Sequence, residues 1–192
     1  MPGRPTDEME LKMRVTDLAG LRRAIRAAGA RLEFHGRMSD RRYDRGRELI
    51  RRDHVLRVRV YQPDGRGAAH AVLTWKGPAS TRRGYRHRRE LECSVADAEA
   101  FRAVLERLRY RVILAIDRRV EVYRLGGVML RLERFPGMDT LLEVEGAPAA
   151  MERVIKAIGV PRERFRSESL PYFTRAYRRR TGRPARLAWS RR

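Results

Sequence analysis

The sequence is short of cysteine, of lysine and of long apolar runs. One cysteine, Cys93, stands in 192 residues. A single thiol excludes an internal disulfide framework and a cysteine-based zinc site. The apolar stretches fall well short of the roughly 20 residues that a membrane-crossing helix needs, and the N-terminus lacks the apolar core of a signal peptide. The four histidines, His35, His54, His70 and His87, are scattered without metal-ligand spacing. No internal repeat or low-complexity linker divides the chain. These absences read as a soluble, cytoplasmic, single-domain protein with no membrane partner. Its domain spans residues 1–182, with a basic tail over 183–192 and loose ends at 1–6 and 183–192.

What is abundant is arginine. The formal charge is +21, carried by 42 arginines against three lysines, Lys12, Lys76 and Lys156. Such a charge invites a polyanionic partner, with nucleic acid the first candidate. The basic residues are nevertheless dispersed along the chain, apart from the run Arg178–Arg192. Dispersal and the near-complete replacement of lysine favour a chain-wide compositional bias over a dedicated nucleic-acid surface. Against that bias, the surviving lysines become informative.

Period-two alternation marks strands at Glu8–Val15, Val55–Tyr61, Ala71–Lys76, Arg88–Val95, Val112–Val122, Val128–Arg134 and Leu141–Glu145. Arg31–Asp44 is a weaker candidate. Helical spacing joins Leu18, Leu21, Ile25 and Ala28, with Asp17 placed to cap and Gly29 to terminate. It recurs at Phe101, Val104, Leu105 and Leu108 after Ser94. A third helix holds Met151, Val154, Ile155 and Ile158, with Pro148 near its start and Gly159 at its end. A fourth fits Leu170–Arg180. Turns fall at Pro63-Asp64-Gly65, Gly77-Pro78 and Gly126-Gly127, the last a hairpin signal. Many antiparallel strands with few helices predict an α+β fold built on a barrel or strongly curved sheet.

The strand "EMELKM" poses the functional question. Glu8, Glu10 and Lys12 share one face, and Met9, Leu11 and Met13 the other. Similar charged faces recur at Arg57-Arg59, Thr74-Lys76, Arg88-Glu90-Glu92, Arg131-Glu133 and Glu143-Glu145. Carboxylates two apart on one face repel, so such pairs do not serve strand stability. A hard divalent cation resolves the conflict, because it takes several carboxylate oxygens. Facing arginines and lysines would complement a polyphosphate. If the sheet closes, helices can cover the apolar outside while the charges line a lumen. Met9, Leu11, Leu91 and Val144 are then expected outside, under helices. Cys93 follows Glu92 on the apolar face and is expected to be buried and inert. Trp75 and Tyr61 are expected to pack.

With these residues in view, the sequence resembles the CYTH family, the triphosphate tunnel metalloenzymes. Glu8-Met9-Glu10-Leu11-Lys12 matches the family's N-terminal E-x-E-x-K. "DRRYD" (Asp40–Asp44), "LRVRV", "LTWKGP" (Leu73–Pro78), "RRELEC" and "LERFPGMDTLLEVEG" (Leu132–Gly146) follow in the family's order. The resemblance implies a closed eight-stranded antiparallel β-barrel with a polar interior and helices outside. It implies Mg²⁺ or Mn²⁺ held among Glu8, Glu10, Glu90, Glu92, Glu133, Glu143 and Glu145. Triphosphate contacts would come from Lys12, Arg57, Arg59, Lys76, Arg118 and Arg131, with Lys12, Lys76 and Arg59 carrying catalysis. The expected activity is that of a class IV adenylyl cyclase, converting ATP to cyclic AMP and pyrophosphate. Hydrolysis of inorganic or thiamine triphosphate is the alternative, and a non-enzymatic polyphosphate or RNA binder is the rival of another class. A homodimer is compatible with the family. One element departs: the family's K-x-R pair on the sixth strand aligns with Arg118 and Val120, so the second basic residue is missing. Arg131, across the hairpin from Val122, could stand in for it, or a bulge could turn Arg119 inward.

Overall fold

The computed structural model describes residues 6–189. It contains β1 (Thr6–Arg14), α1 (Leu18–Ala27), β2 (Arg31–Asp44), α2 (Glu48–Arg51), β3 (Val55–Pro63), β4 (His70–Lys76), β5 (Ser80–Arg82) and β6 (Tyr85–Val95). These are followed by α3 (Ala98–Arg107), β7 (Arg111–Leu125), β8 (Val128–Arg134), β9 (Leu141–Glu145), α4 (Pro148–Ala157) and α5 (Leu170–Thr181). Neighbouring strands are antiparallel in the order β1-β9-β8-β7-β2-β3-β4-β6. Residues Arg86–Glu90 of β6 pair back onto Thr6–Glu10 of β1 and close an eight-stranded barrel. The short β5 adds only to the start of β6. Closure removes the free sheet edges that an open arrangement would expose.

The alternation of β1 decides which side is the core. Leu11 and Met13 point outward and are buried, joined by Leu142 and Val144 of β9 and Val128, Leu130 and Leu132 of β8. Leu21 and Ile25 of α1 and Met151, Val154 and Ile155 of α4 cover them, with Met9 packed at the margin. Each such side chain contributes about 1.5–3 kcal/mol on burial. The main apolar core therefore lies between the barrel and its helices, not inside the barrel. A second cluster, Tyr43, Val58 and Leu105, seats α3 on β3. Among the described residues, no helix is long and apolar enough to cross a membrane.

Local chemistry sets the helix ends. Asp17 accepts a hydrogen bond from the Gly20 amide at 2.8 Å, as its position predicts. The cap of α3 is Asp97, which accepts from the amides of Glu99 and Ala100, while Ser94 stays within β6. Pro148 occupies the first turn of α4. Gly126 and Gly127 both have positive φ, 54° and 79°, which the tight β7–β8 turn requires. That turn pairs Leu125 with Val128, Val120 with Glu133 and Val122 with Arg131.

Several expectations are corrected. Leu91 and Cys93 lie on the outer face of β6, which α3 leaves uncovered, and both are exposed. The alternative of a bulge turning Arg119 inward does not hold: the β7–β8 register runs unbroken there, and Arg119 bonds Asp64 on the outside. Residues 183–189 are not a loose end. Arg186 pairs with Gly137, Leu187 accepts from the Asp117 amide at 2.7 Å, and the Trp189 ring lies beneath Arg37. Thr6, expected in the loose N-terminal end, belongs to β1, and the expectation for residues 1–5 and 190–192 lies outside the described residues.

Candidate active site

The barrel interior holds a cavity of about 580 Å³, lined by charged side chains from all eight strands. This falls within the roughly 300–1,000 Å³ of small-molecule sites. The charges are sorted. One wall, from β2, β3, β7 and β8, carries Arg42, Arg57, Arg59, Arg118 and Arg131. The opposite wall, from β1, β9, β4 and β6, carries Glu8, Glu10, Glu143 and Glu90 with Lys12, Lys76, Arg86 and Arg88 set among them.

On the acidic wall, each lysine is shared between two carboxylates. Lys76 Nζ donates to both oxygens of Glu8 at 2.6 Å and lies 3.0 Å from Glu90 Oε2. Lys12 Nζ bonds Glu10 and stands 2.8 Å from Glu143 Oε2. Arg86 Nε adds a contact to Glu10 at 3.2 Å. Carboxylates still outnumber the cations nearby. Glu90 is pushed up to about 8 by burial, with the charge of Glu8 adding to it against the pull of Lys76. Glu145, opposite Glu10 in the β1–β9 register, is pushed up to about 7 by burial and then by Glu8. It has no ion-pair partner among the described residues. Glu10 is raised as well, by burial and by Glu143 and Glu8, despite Lys12. Glu143 goes the other way: burial would lift it, but Arg131 and Lys12 hold it well below the usual carboxylate range.

The basic wall is organised by Asp40, which is 1% exposed. Its carboxylate accepts from Arg59 Nε at 2.7 Å, Arg59 Nη2 at 3.0 Å and Arg118 Nη2 at 3.1 Å. Arg57 Nη1 lies 3.7 Å away. Against the penalty of burial, Arg118 and then Arg59 and Arg57 hold Asp40 well below its ordinary value. Arg118 also bonds Glu133 at 2.8 Å, and Arg131 bonds both Glu133 and Glu143. These acids do not satisfy every guanidinium donor. Arg42 Nε, Arg57 Nε and Arg118 Nη1 are buried without a hydrogen-bond partner. Arg42 forms no ion pair among the described residues, and burial, then Arg57, lowers it to about 10.

The structure thus brings Glu8, Glu10, Glu90, Glu143, Glu133, Lys12, Lys76, Arg57, Arg59, Arg118 and Arg131 into one lumen. Glu92 sits at its margin, half-exposed, taking a 2.6 Å hydrogen bond from Thr74. Sequence reading missed Asp40 and Arg42 as site residues, although both lie in the quoted "DRRYD". It also missed Arg88, which bonds Asp53 and the Gly77 carbonyl where the lumen opens. Among the described residues, no three His, Cys, Asp or Glu side chains are grouped around a common metal position. The acidic wall nevertheless offers the carboxylate oxygens that a hard cation takes, and burial with neighbouring carboxylates raises Glu10 and Glu145.

The two ends of the lumen differ. At one end Ile50, Leu56, Ile113, Leu114, Phe135, Leu170 and Pro171 give the mouth a large apolar share, beside Asp53, His54 and Arg88. Asp44 fixes part of it by accepting from the amides of Arg45, Leu49 and Ile50, which holds α2 in place. At the other end Met38, Val120 and Val122 are buried together, with Phe34, Tyr61 and Met129 packed against them.

No protein-family model matches the sequence, and neither does any curated protein. Solved structures do. A candidate adenylate cyclase from Vibrio parahaemolyticus is similar with a TM-score of 0.72 at 19% identity, covering 88% of this chain and 98% of its own. A protein from Pyrococcus horikoshii gives 0.70 at 24% identity, covering 84% and 94%. A candidate adenylyl cyclase from Hippeastrum, for which a dominant triphosphatase activity is described, gives 0.59 at 15% identity, covering 97% and 100%. The chain has their fold. The resemblance read from the motifs therefore extends to three dimensions. At such identities the likeness establishes the barrel, and the chemistry rests on this chain's own side chains.

Proposed function

We propose that the protein is a metal-dependent enzyme that processes a triphosphate in the barrel lumen, with a nucleoside triphosphate as substrate and cyclisation of the class IV adenylyl cyclase type as the reaction. One observation carries the reading. Three buried arginine donors, on Arg42, Arg57 and Arg118, lack partners and belong to the wall opposite a crowded row of carboxylates. Unsatisfied buried donors are costly, and a polyanion with many acceptor oxygens satisfies them together.

In this reading Lys12, Arg57, Arg59, Lys76, Arg118 and Arg131 hold the phosphates. Asp40 positions Arg59 and Arg118. Glu8, Glu10 and Glu145 would hold Mg²⁺ or Mn²⁺, with Glu90 and Glu92 beside them. Glu133 and Glu143 act as counter-ions of Arg118 and Arg131. A bound divalent ion supplies neutralisation of phosphate charge that the lysines alone do not. Catalysis is mostly positioning and electrostatics, as in phosphoryl transfer generally. When the ribose 3′-oxygen attacks the α-phosphorus in line, the new bond closes the cyclic phosphate and pyrophosphate leaves. The apolar share of the mouth supports an organic substituent on the triphosphate, because inorganic triphosphate has no use for it. Attack of water on the terminal phosphorus is the second reading, favoured by the triphosphatase activity described for the Hippeastrum neighbour.

The test is direct. Purified protein with Mn²⁺ or Mg²⁺ is given ATP, inorganic triphosphate and thiamine triphosphate, and the products are identified. Cyclic AMP with pyrophosphate supports the first reading, and orthophosphate release supports the second. No turnover of any of them would leave a polyanion-binding protein.

A further inference from the structure

The lumen is not a through-passage. Along β3 the inward residues run Arg57, Arg59, Tyr61, and along β2 they run Arg42, Asp40, Met38 in register with them. On β7 they run Arg118, Val120, Val122, and on β8 they run Glu133, Arg131, Met129. Every one of these strands therefore passes from charged to apolar in the same direction. Met38 is 0% exposed and Val120 1%, and Phe34, Tyr61 and Met129 complete the layer. The Phe34 and Tyr61 rings meet edge to face at 5.3 Å, and His70 stacks on Tyr61 at 4.7 Å. None of the layer's six residues borders the cavity, whose mouth lies at the opposite end. The layer spans β2, β3, β7 and β8, and toward the same end of the other strands Val72, Thr74, Glu92 and Glu145 do not border the cavity either, so the cavity stops short of this end. The last cations before the closed end are Arg59, whose Nη1 donates to the Tyr61 hydroxyl at 3.2 Å, and Arg131, which reaches the Met129 sulfur. Val120, where a basic residue was expected, thus belongs to a seal.

From this layer we infer that the site is one-ended. The substrate enters terminal phosphate first, that phosphate stops at Arg59 and Arg131 against the Met38–Tyr61–Val120 layer, and the organic group remains at the mouth. The inference rests on the triphosphate reading above and adds its direction and a specificity. Groups attached to the terminal phosphate are rejected by size, whereas groups attached at the α-phosphate have room. A long polyphosphate can present an end but cannot be threaded through.

Equilibrium binding of three ligands tests it: ATP, its γ-phosphate methyl ester and its γ-phosphate anilide. The two derivatives carry the same charge, so the ratio of their affinities reports size at the terminal phosphate. A one-ended lumen requires the anilide to bind at least ten-fold more weakly than the methyl ester. Replacing the adenosine of ATP by a larger nucleoside should change affinity far less. In a Met38→Ala/Val120→Ala variant the gap between the two derivatives should narrow. Equal binding of anilide and methyl ester by the unaltered protein would overturn the inference, whether or not the variant folds. If ATP and inorganic triphosphate both fail to bind, the triphosphate reading itself falls, and the direction of entry with it.

Discussion

Lys76 Nζ lies 2.6 Å from each carboxylate oxygen of Glu8, a symmetric grip that ties β4 to β1 across β6. The same ammonium reaches Glu90 at 3.0 Å. A compact three-donor ammonium can do this, whereas a planar guanidinium would need a wider slot. In a chain with 42 arginines, lysine at this position is a geometric choice.

Lys76→Arg should therefore fold but turn over poorly. A displacement of about 1 Å at a reacting centre can cost about 100-fold in rate. We expect a fall in kcat of that order with triphosphate affinity much less changed, read from steady-state kinetics at saturating metal. Unchanged kcat would make Lys76 one charge among many.

Glu10→Gln tests the acidic wall. Burial and its neighbours raise the Glu10 carboxyl, so the native state favours its neutral form. A group of this kind costs stability as pH rises from its unfolded value of about 4.3 toward its higher folded value, and the cost is complete above the latter. A neutral isostere should remove that cost. The metal-free melting temperature of Glu10→Gln should equal or exceed that of the unaltered protein at neutral pH. Half-maximal activity should need more Mn²⁺. Full activity at limiting Mn²⁺ would exclude Glu10 as a ligand.

Much of this arrangement is legible in the sequence because β1, β4, β8 and β9 alternate cleanly. One face is charged and the other apolar, so the inward residues can be named before the barrel is known. β2 hides its site residues. Arg41 faces outward beside Arg42 and is held by Asp117 at 2.7 Å, so both faces read as polar and the period is lost. The sealing layer is illegible for the opposite reason. Met38, Val120 and Val122 continue the inward rows of charged strands as apolar residues, which a strand-by-strand reading takes for lost charges. β5, with three residues, has no period to read. The docking of residues 183–189 rests on backbone pairing at Gly137 and Asp117 and on scattered contacts such as Trp189 with Arg37, none of which forms a periodic pattern in the sequence.

Asp40→Asn should weaken the basic wall. It leaves Arg59, Arg118 and Arg57 without their shared counter-ion, and removing one partner of a buried ion pair costs about 3–5 kcal/mol. Asp40 is held far below its ordinary value, so its contribution is complete above the unfolded carboxyl pKa of about 3.9 and is lost only as pH falls through the lower folded value. Thermal unfolding should show Asp40→Asn destabilised throughout pH 5–8. Inorganic triphosphate should raise its melting temperature more than that of the unaltered protein, because the ligand replaces a missing anion. Melting temperatures that coincide at pH 7 would remove Asp40 from this role.

Val120 and Arg131 make opposite demands. If Val120 marked a vacant phosphate contact, Val120→Arg would tighten triphosphate binding. The structure points the other way. Val120 is buried in the apolar layer, and Glu133 across from it already accepts from Arg118 at 2.8 Å and Arg131 at 3.2 Å. A long cation forced into a filled core strains it by about 1–3 kcal/mol before any cost of burying charge. Val120→Arg should lower the melting temperature and bring no gain in affinity. Arg131→Ala should instead weaken triphosphate binding by about 1.5–3 kcal/mol, the worth of a charged hydrogen bond, or roughly ten-fold or more. Arg131→Lys should recover part of that loss, which distinguishes lost charge from lost packing. Tighter binding by Val120→Arg together with unaltered binding by Arg131→Ala would reverse this assignment.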